Sequence, residues 1–287
     1  MLIAQYKSTN IAHAPDELCK AINKYSSHQS VMVGFNGMSA PPRNTNILHC
    51  HNKVMGIQHR ARKKTLVQYH SEPFQVDLKT PVDSRLVIAQ YHATLPQYKN
   101  FKIVRNVIDF NTPQYSPVII DDKIKIGFSP SRKKKMGAWH DKGYDKTIQI
   151  LNRIKNRFPN VEVDIIHGVP LDECIRRKSQ CNILIDECVT KSYHRSGLEG
   201  LALGKLTICS MDKQVERIMK KAAGSSTQPF VNIWIDSLEK KLSALIESND
   251  MEYILKKGEA SREWMEKYWS PQVIVNDFIK IYKKALG

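Results

Sequence analysis

Short apolar runs recur along the chain, each followed by a polar or amphipathic stretch. Residues 2–6, 30–33, 46–50, 65–69, 86–90 and 102–104 are predicted strands. Residues 16–25 are a predicted helix with Leu18, Ala21 and Ile22 on one face. Pro41-Pro42 marks a loop. Around residues 111–122, Pro113, Pro117 and two aspartates interrupt the pattern, which then restarts. Strands are predicted at 123–128, 161–166, 183–185 and 206–209. Helices are predicted at 146–158, with Ile150, Leu151, Ile154 and Phe158 at helical spacing, at 198–203, stopped by Gly204, and at 271–286. Strands alternating with helices predict parallel sheets with helices on their faces. Two such runs in sequence predict two doubly wound units, which place ligands at the carboxyl ends of their strands.

Composition narrows the class. The 287 residues suffice for two small α/β domains, and 41% hydrophobic with 25% charged residues is ordinary for a globular protein. No stretch approaches the ~20 apolar residues of a membrane span. The N-terminus reads as a strand rather than a signal peptide, so a cytoplasmic location is expected. Cys19, Cys50, Cys174, Cys181, Cys188 and Cys209 form no C-x-x-C pair, which argues against a zinc ribbon and for buried, reduced thiols. The balance of 44 basic against 28 acidic residues, net +16, points to a polyanionic partner: nucleic acid, anionic lipid or a phosphorylated glycan. Residues 1–120 carry 14 basic and 6 acidic residues, so the first half is poor in acid.

Residues 192–205, Ser-Tyr-His-Arg-Ser-Gly-Leu-Glu-Gly-Leu-Ala-Leu-Gly-Lys, carry the most chemistry. A short loop with Gly197 leads into a helix whose first N–H groups and dipole suit a diphosphate. Glu199, in the first turn, can accept hydrogen bonds from ribose hydroxyls, and Gly204 turns the chain into the next strand. The same spacing also fits a plain helix–Gly–strand unit.

This stretch resembles the corresponding segment of the group 1 glycosyltransferases, which have the GT-B fold. Residues 124–130 with Arg132 and Lys142-Gly143 resemble the strand and Arg…Lys-Gly element after the interdomain linker. His167-Gly-Val-Pro170 resembles the nucleotide-base loop, and 183–187, Ile-Leu-Ile-Asp-Glu, the strand before the donor loop. Residues 105–110 resemble the signature ahead of the linker. Ser270-Pro-Gln-Val with Ile281-Tyr282 resembles the closing helix. The resemblance implies an α/β protein of two Rossmann-like domains facing across a cleft. An N-terminal acceptor-side domain would span 1–115 and a nucleotide-sugar-binding domain 116–270, with a helix at 271–287 crossing back to the first domain.

Carried over, the resemblance implies that Glu199 holds the donor ribose. Arg132 and Lys142 neutralise the diphosphate and stabilise the leaving nucleotide. Ser196, Gly197 and Leu198 offer backbone N–H groups, and Gly127, Gly168 and Val169 lie along the donor. The family's further glutamate, eight residues before the ribose glutamate, is Lys191 here, and Glu187 is the expected substitute. His70, at a strand end, resembles the family's histidine that touches the donor sugar. Glu72, two residues on, is a candidate general base. His49 and His51 share a strand face but lack a third metal ligand at known spacing, so no metal or other cofactor is expected. The co-substrate would be a UDP- or GDP-hexose.

Two clusters, Arg60, Arg62, Lys63 and Lys64 and Lys133, Lys134 and Lys135, with Trp139 and His140 nearby, are candidate acceptor contacts. With the net charge they favour DNA as acceptor, through a hydroxymethylated base flipped from the stack. An envelope glycan or lipid, with peripheral contact to an anionic membrane, is the alternative. A non-catalytic nucleic-acid-binding protein on the same scaffold is the third reading.

Overall fold

The computed structural model describes residues 1–61, 63–120, 123–130 and 142–287. It divides into two compact units: Met1–Asp109 with Lys221–Gly224 and Trp269–Gly287, and Phe110–Lys220 with Ser225–Tyr268.

The first unit holds strands β1 (Leu2–Lys7), β2 (Gln29–Gly34), β3 (Ile47–His51), β4 (Lys64–Tyr69), β5 (Ser84–Ile88) and β6 (Lys102–Val104). All six are parallel, in the order β2-β1-β3-β4-β5-β6. Helix α1 (Ala14–Tyr25) crosses from β1 to β2. Pro15 stands in its first turn, Asp16 and Glu17 complement its dipole, and Leu18, Cys19, Ala21 and Ile22 are its buried stripe. The later crossovers depart from the expected alternation: the β3–β4 crossover has only the four-residue helix α2 (Ile57–Arg60), and 3₁₀ turns and loops carry the others. Those loops still bury one face of the sheet. Val54, Met55, Val76, Leu78, Val82, Leu95 and Phe101 pack with Leu48, Val67, Tyr69, Val87 and Tyr98. Every residue of β3 is buried, as in a strand covered on both faces.

The second unit alternates β7 (Ile124–Phe128), α3 (Tyr144–Arg157), β8 (Val161–Ile165), α4 (Leu171–Ser179), β9 (Ile183–Glu187), α5 (Arg195–Ala202), β10 (Leu206–Cys209), α6 (Lys213–Ala223, whose last residues are counted with the first unit) and β11 (Val231–Asn232), followed by α7 (Ile235–Glu247) and α8 (Met251–Tyr268). Its parallel sheet runs β11-β10-β9-β7-β8. Ile126, Phe128, Ile183, Ile185, Leu206 and Ile208 form the centre of its core, faced by Ile150, Leu151 and Ile154 of α3 and Leu238, Leu242 and Ile246 of α7.

The last helix, α9 (Pro271–Leu286), belongs to the first unit. The Ser270 hydroxyl caps it by accepting from Val273 N–H at 3.4 Å. Trp269 Nε1–H donates to Asn106 O, Arg105 pairs with Asp277, and Phe278 and Tyr282 are buried.

Both sheets reverse their winding beside their first strand, between β1 and β3 and between β7 and β9. Such a switch point opens a crevice outside the strand ends, where α/β proteins bind ligands. The two edges, Lys7 with His51 and Phe128 with Asp186 and Glu187, are therefore the places where chemistry is sought.

Candidate active site

At the second unit's switch point, β9 ends on two carboxylates. The apolar run Ile183-Leu-Ile carries Asp186 down with it into full burial. Asp186 Oδ1 accepts from Lys142 Nζ at 2.9 Å, with both side chains buried. Asp186 Oδ2 accepts the backbone N–H of His194, which leads into α5, at 2.5 Å. Burial works to raise the Asp186 pKa, but Lys142 and then His194 more than offset it, so the carboxyl is held below its ordinary range. Lys142 is placed by Gly143, which adopts φ +65° as it opens α3.

One turn into α5, Glu199 is buried between two cations. Lys178 Nζ of α4 donates to Oε2 at 2.7 Å, and Arg195 Nε to Oε1 at 3.0 Å. Lys178 also donates to Ser196 Oγ at 2.9 Å. Burial opposes both charges of the Lys178–Glu199 pair, yet each holds the other ionised: the lysine pKa is raised and the glutamate pKa lowered. Three cations, Lys142, Lys178 and Arg195, thus face two carboxylates at one helix start. The excess positive charge and the α5 dipole favour an anion. A carboxylate oxygen has two lone pairs, so Glu199 keeps capacity to accept from further hydroxyls.

Four further residues of this region are engaged locally. Glu187 is tied to its own loop: Oε2 accepts from the N–H groups of Val189 and Thr190, and Oε1 from Ser210 Oγ. It braces its own loop, and burial raises its pKa. The Gly197 and Leu198 N–H groups are already used, both donating to His194 O, and Leu198 is a core side chain. Gly197 instead lets α5 approach Asp186: a Cβ there would lie 2.8 Å from Asp186 Oδ2 and 2.9 Å from Phe230 Cε1. Gly127 lies within β7, where a Cβ would stand 2.6 Å from Leu184 Cδ2, so its smallness serves packing. Gly168, at φ +70° with open space around it, and Val169 form the β8–α4 loop on the same edge as Lys142, Ser196 and Glu199. Arg132, Lys133, Lys134 and Lys135, with Trp139 and His140, lie outside the described residues, as does Arg62.

In the first unit, His70 follows the last residue of β4 and is nearly buried. Its ring Nε2 is 3.0 Å from His51 Nδ1, and its backbone N–H donates to Asn52 Oδ1. His51 Nε2 is 2.9 Å from Gln5 Oε1, and His49 Nδ1 is 2.8 Å from Tyr282 Oη. Burial lowers the pKa of His70 and of His49 to about 3 and that of His51 well below its ordinary value. His70 is therefore a neutral hydrogen-bonding group, not a base that takes up a proton at neutral pH. Glu72 opens the 3₁₀ turn Pro73–Gln75 beside it.

The basic cluster of this unit is at the other edge, contrary to expectation. Lys64 begins β4 and pairs with Asp83, which precedes β5. Arg60 donates to Pro81 O, and Lys63 to Ala61 O. Six residues of strand rise separate Lys64 from His70, roughly 20 Å. Parallel strands bring all carboxyl ends to one side, so a cluster at a strand's start cannot flank its end.

Sequence reasoning missed Asp186, Lys178 and Arg195, whose charges meet at this edge. Asp186 had a signal, a carboxylate closing an apolar strand. Lys178 had none, because its partner lies two elements away. Among the described residues no group of three or more His, Cys, Asp or Glu side chains is arranged to hold a metal ion. No helix among them is long and apolar enough to cross a membrane.

No family model matches the sequence. No curated protein matches it either. Solved structures do match in shape. A glycosyltransferase from Rickettsia africae superposes with a TM-score of 0.66 at 13% identity, covering 99% of this chain and 98% of that one. Sucrose-phosphate synthase from Thermosynechococcus elongatus gives 0.60 at 11% identity, with 99% and 98% covered. The catalytic domain of starch synthase IV from Arabidopsis thaliana, bound to ADP and acarbose, gives 0.59 at 9% identity, with 99% of both chains covered. Two parallel sheets matched along almost the full length of each chain give this protein the α/β fold of the GT-B glycosyltransferases.

Proposed function

We propose that the protein transfers a hexose from a nucleotide sugar, with the donor nucleotide bound outside the ends of β7 and β9. One observation carries this reading: Lys142, Lys178 and Arg195 converge with Asp186 and Glu199 on the start of α5 at a switch point. A diphosphate needs cations and a helix start, and a ribose needs a charged acceptor a turn further on. Glu199 supplies that acceptor, and Lys142, in the β7–α3 connection just before α3, is the cation that meets charge developing on the leaving diphosphate. The fold similarity to a synthase bound to ADP is in keeping with a nucleotide as ligand. Gly168 and Val169 of the β8–α4 loop lie beside the base.

The acceptor is read from charge. A net +16 favours a polyanion, and the hydroxymethyl group of a modified DNA base remains our first choice. The position of Arg60, Lys63 and Lys64 at the starting edge of the sheet withdraws one of its two expected contact surfaces and strengthens the alternative of an envelope glycan or lipid. The test is a panel of UDP-, GDP- and ADP-hexoses incubated with hydroxymethylated DNA, unmodified DNA, and lipid or glycan acceptors, read by mass spectrometry. Gain of a hexose mass on modified DNA alone supports the first choice; gain on the lipid or glycan replaces it. If no donor is hydrolysed or consumed, the transferase reading fails.

A further inference from the structure

We infer that Gln5 and His51, both buried, act as positioning residues that fix the tautomer of His70, so that its Nδ1 is an acceptor for a substrate hydroxyl. The role in catalysis rests on the transferase reading above; the tautomer does not.

The hydrogen-bond directions follow from the amide of Gln5. Its Nε2–H donates to Tyr282 Oη at 3.3 Å, which leaves Oε1 facing His51 Nε2 at 2.9 Å. An amide oxygen only accepts, so His51 carries its proton on Nε2. His51 Nδ1 is then a lone pair, and the ring nitrogen 3.0 Å away, His70 Nε2, must be the donor. His70 Nδ1 is left unprotonated. It makes no hydrogen bond among the described residues, yet it is not one of the buried polar atoms without a partner, so it keeps contact with solvent. It follows β4 on the carboxyl edge of the sheet, the edge of the switch point.

Two features hold this arrangement neutral. Gln5, His51 and Tyr282 are wholly buried, which disfavours a charged imidazole. Lys7, paired with Asp16, stands beside His51 in register on β1 and adds a positive field against protonation. A neutral acceptor with one fixed lone pair can orient a sugar hydroxyl without competing for its proton. If His70 flipped to the other tautomer, it would present a donor, and the same hydroxyl would have to turn and accept rather than donate.

The experiment is long-range ¹⁵N–¹H correlation of the imidazoles in the full-length ¹⁵N-labelled protein near neutral pH. His51 and His70 should both appear as Nε2–H tautomers. A His70 signal of the Nδ1–H form overturns the inference, whatever the activity. Gln5→Met removes the acceptor and should mix the His70 tautomers. Turnover should fall about tenfold, the worth of one hydrogen bond, while donor KM stays within about twofold. An unchanged tautomer in Gln5→Met also counts against it. Should Gln5→Met fail to fold, the wild-type spectrum still decides. The expected tautomers in a protein that consumes no nucleotide sugar would sink the transferase reading and leave the assignment standing.

Discussion

Gly197 lies so close to Asp186 that a single methyl on it would stand 2.8 Å from the carboxylate Oδ2. That contact seats the start of α5 against the end of β9 and brings Arg195 and Glu199 to the strand-end edge. Gly197→Ala should therefore push α5 outward, costing about 1–3 kcal/mol as overpacking does. A lowered urea midpoint together with weaker nucleotide binding is the expected pair of results. Unchanged values for both would show that α5 is not held by this approach.

The Lys142–Asp186 pair is buried on both sides. Lys142→Met leaves a buried carboxylate with only the His194 contacts and should cost about 3–5 kcal/mol. Adding Asp186→Asn removes the stranded charge, so the double variant should regain a coupling of roughly 2 kcal/mol in a double-mutant cycle. Stability should recover while donor hydrolysis does not. A double variant as active as the parent would remove Lys142 from the chemistry.

Glu199→Gln keeps the shape of the side chain and discards its charge. Hydrogen bonds to charged groups are worth ~1.5–3 kcal/mol, so nucleotide-sugar affinity should drop by at least about tenfold. Alanine is the poorer probe, because it would leave Lys178 buried without its carboxylate. Equal dissociation constants for parent and Gln variant by calorimetry would contradict the ribose assignment.

The buried histidines make stability depend on mild acid. His49 and His70 are held down to about 3, and His51 well below its ordinary range. The unfolded chain therefore binds more protons than the folded one as soon as pH falls through about 6.5. The stability these groups support is present above that value and is lost on the way down. With three groups the slope approaches ~4 kcal/mol per pH unit near pH 5. Asp186 and Glu199, held below their ordinary carboxylate values, add their loss only below about pH 4. Urea melts at pH 7, 6 and 5 test this, and His49→Asn should remove one proton's share of the slope. A flat profile across that range would refute the neutral buried triad.

Much of the chain was readable locally. The predicted segments 102–104, 206–209 and 271–286 match β6, β10 and α9 residue for residue, and α1 and α5 begin only two and three residues before their predicted starts. The unread helices have different reasons. In α7, Leu238, Leu242 and Ile246 stand at i, i+4 and i+8, a legible signal passed over. In α8 the buried face includes Gly258 and Ser261, because a Cβ on Gly258 would fall 2.2 Å from Gly204 O. Close backbone approach demands small residues there and erases the hydrophobic period. In α4 the buried positions include Lys178, whose burial makes sense only with Glu199 opposite it.

The sequence by itself determined the two runs of parallel strands, the helix–Gly204–β10 junction and the placement of Glu199 in the first turns of α5. Each follows from periodicity, caps and glycine positions, interactions that reach only a few residues. The tertiary structure alone decided which charges meet. Lys142 finds Asp186 across 44 residues, Gln5 finds Tyr282 across 277, and Lys64 ends up at the opposite end of β4 from His70. Those outcomes are set by strand order and by the common direction of parallel strands. Both arise when buried backbones pair at long range, and neither leaves a periodic trace in the chain.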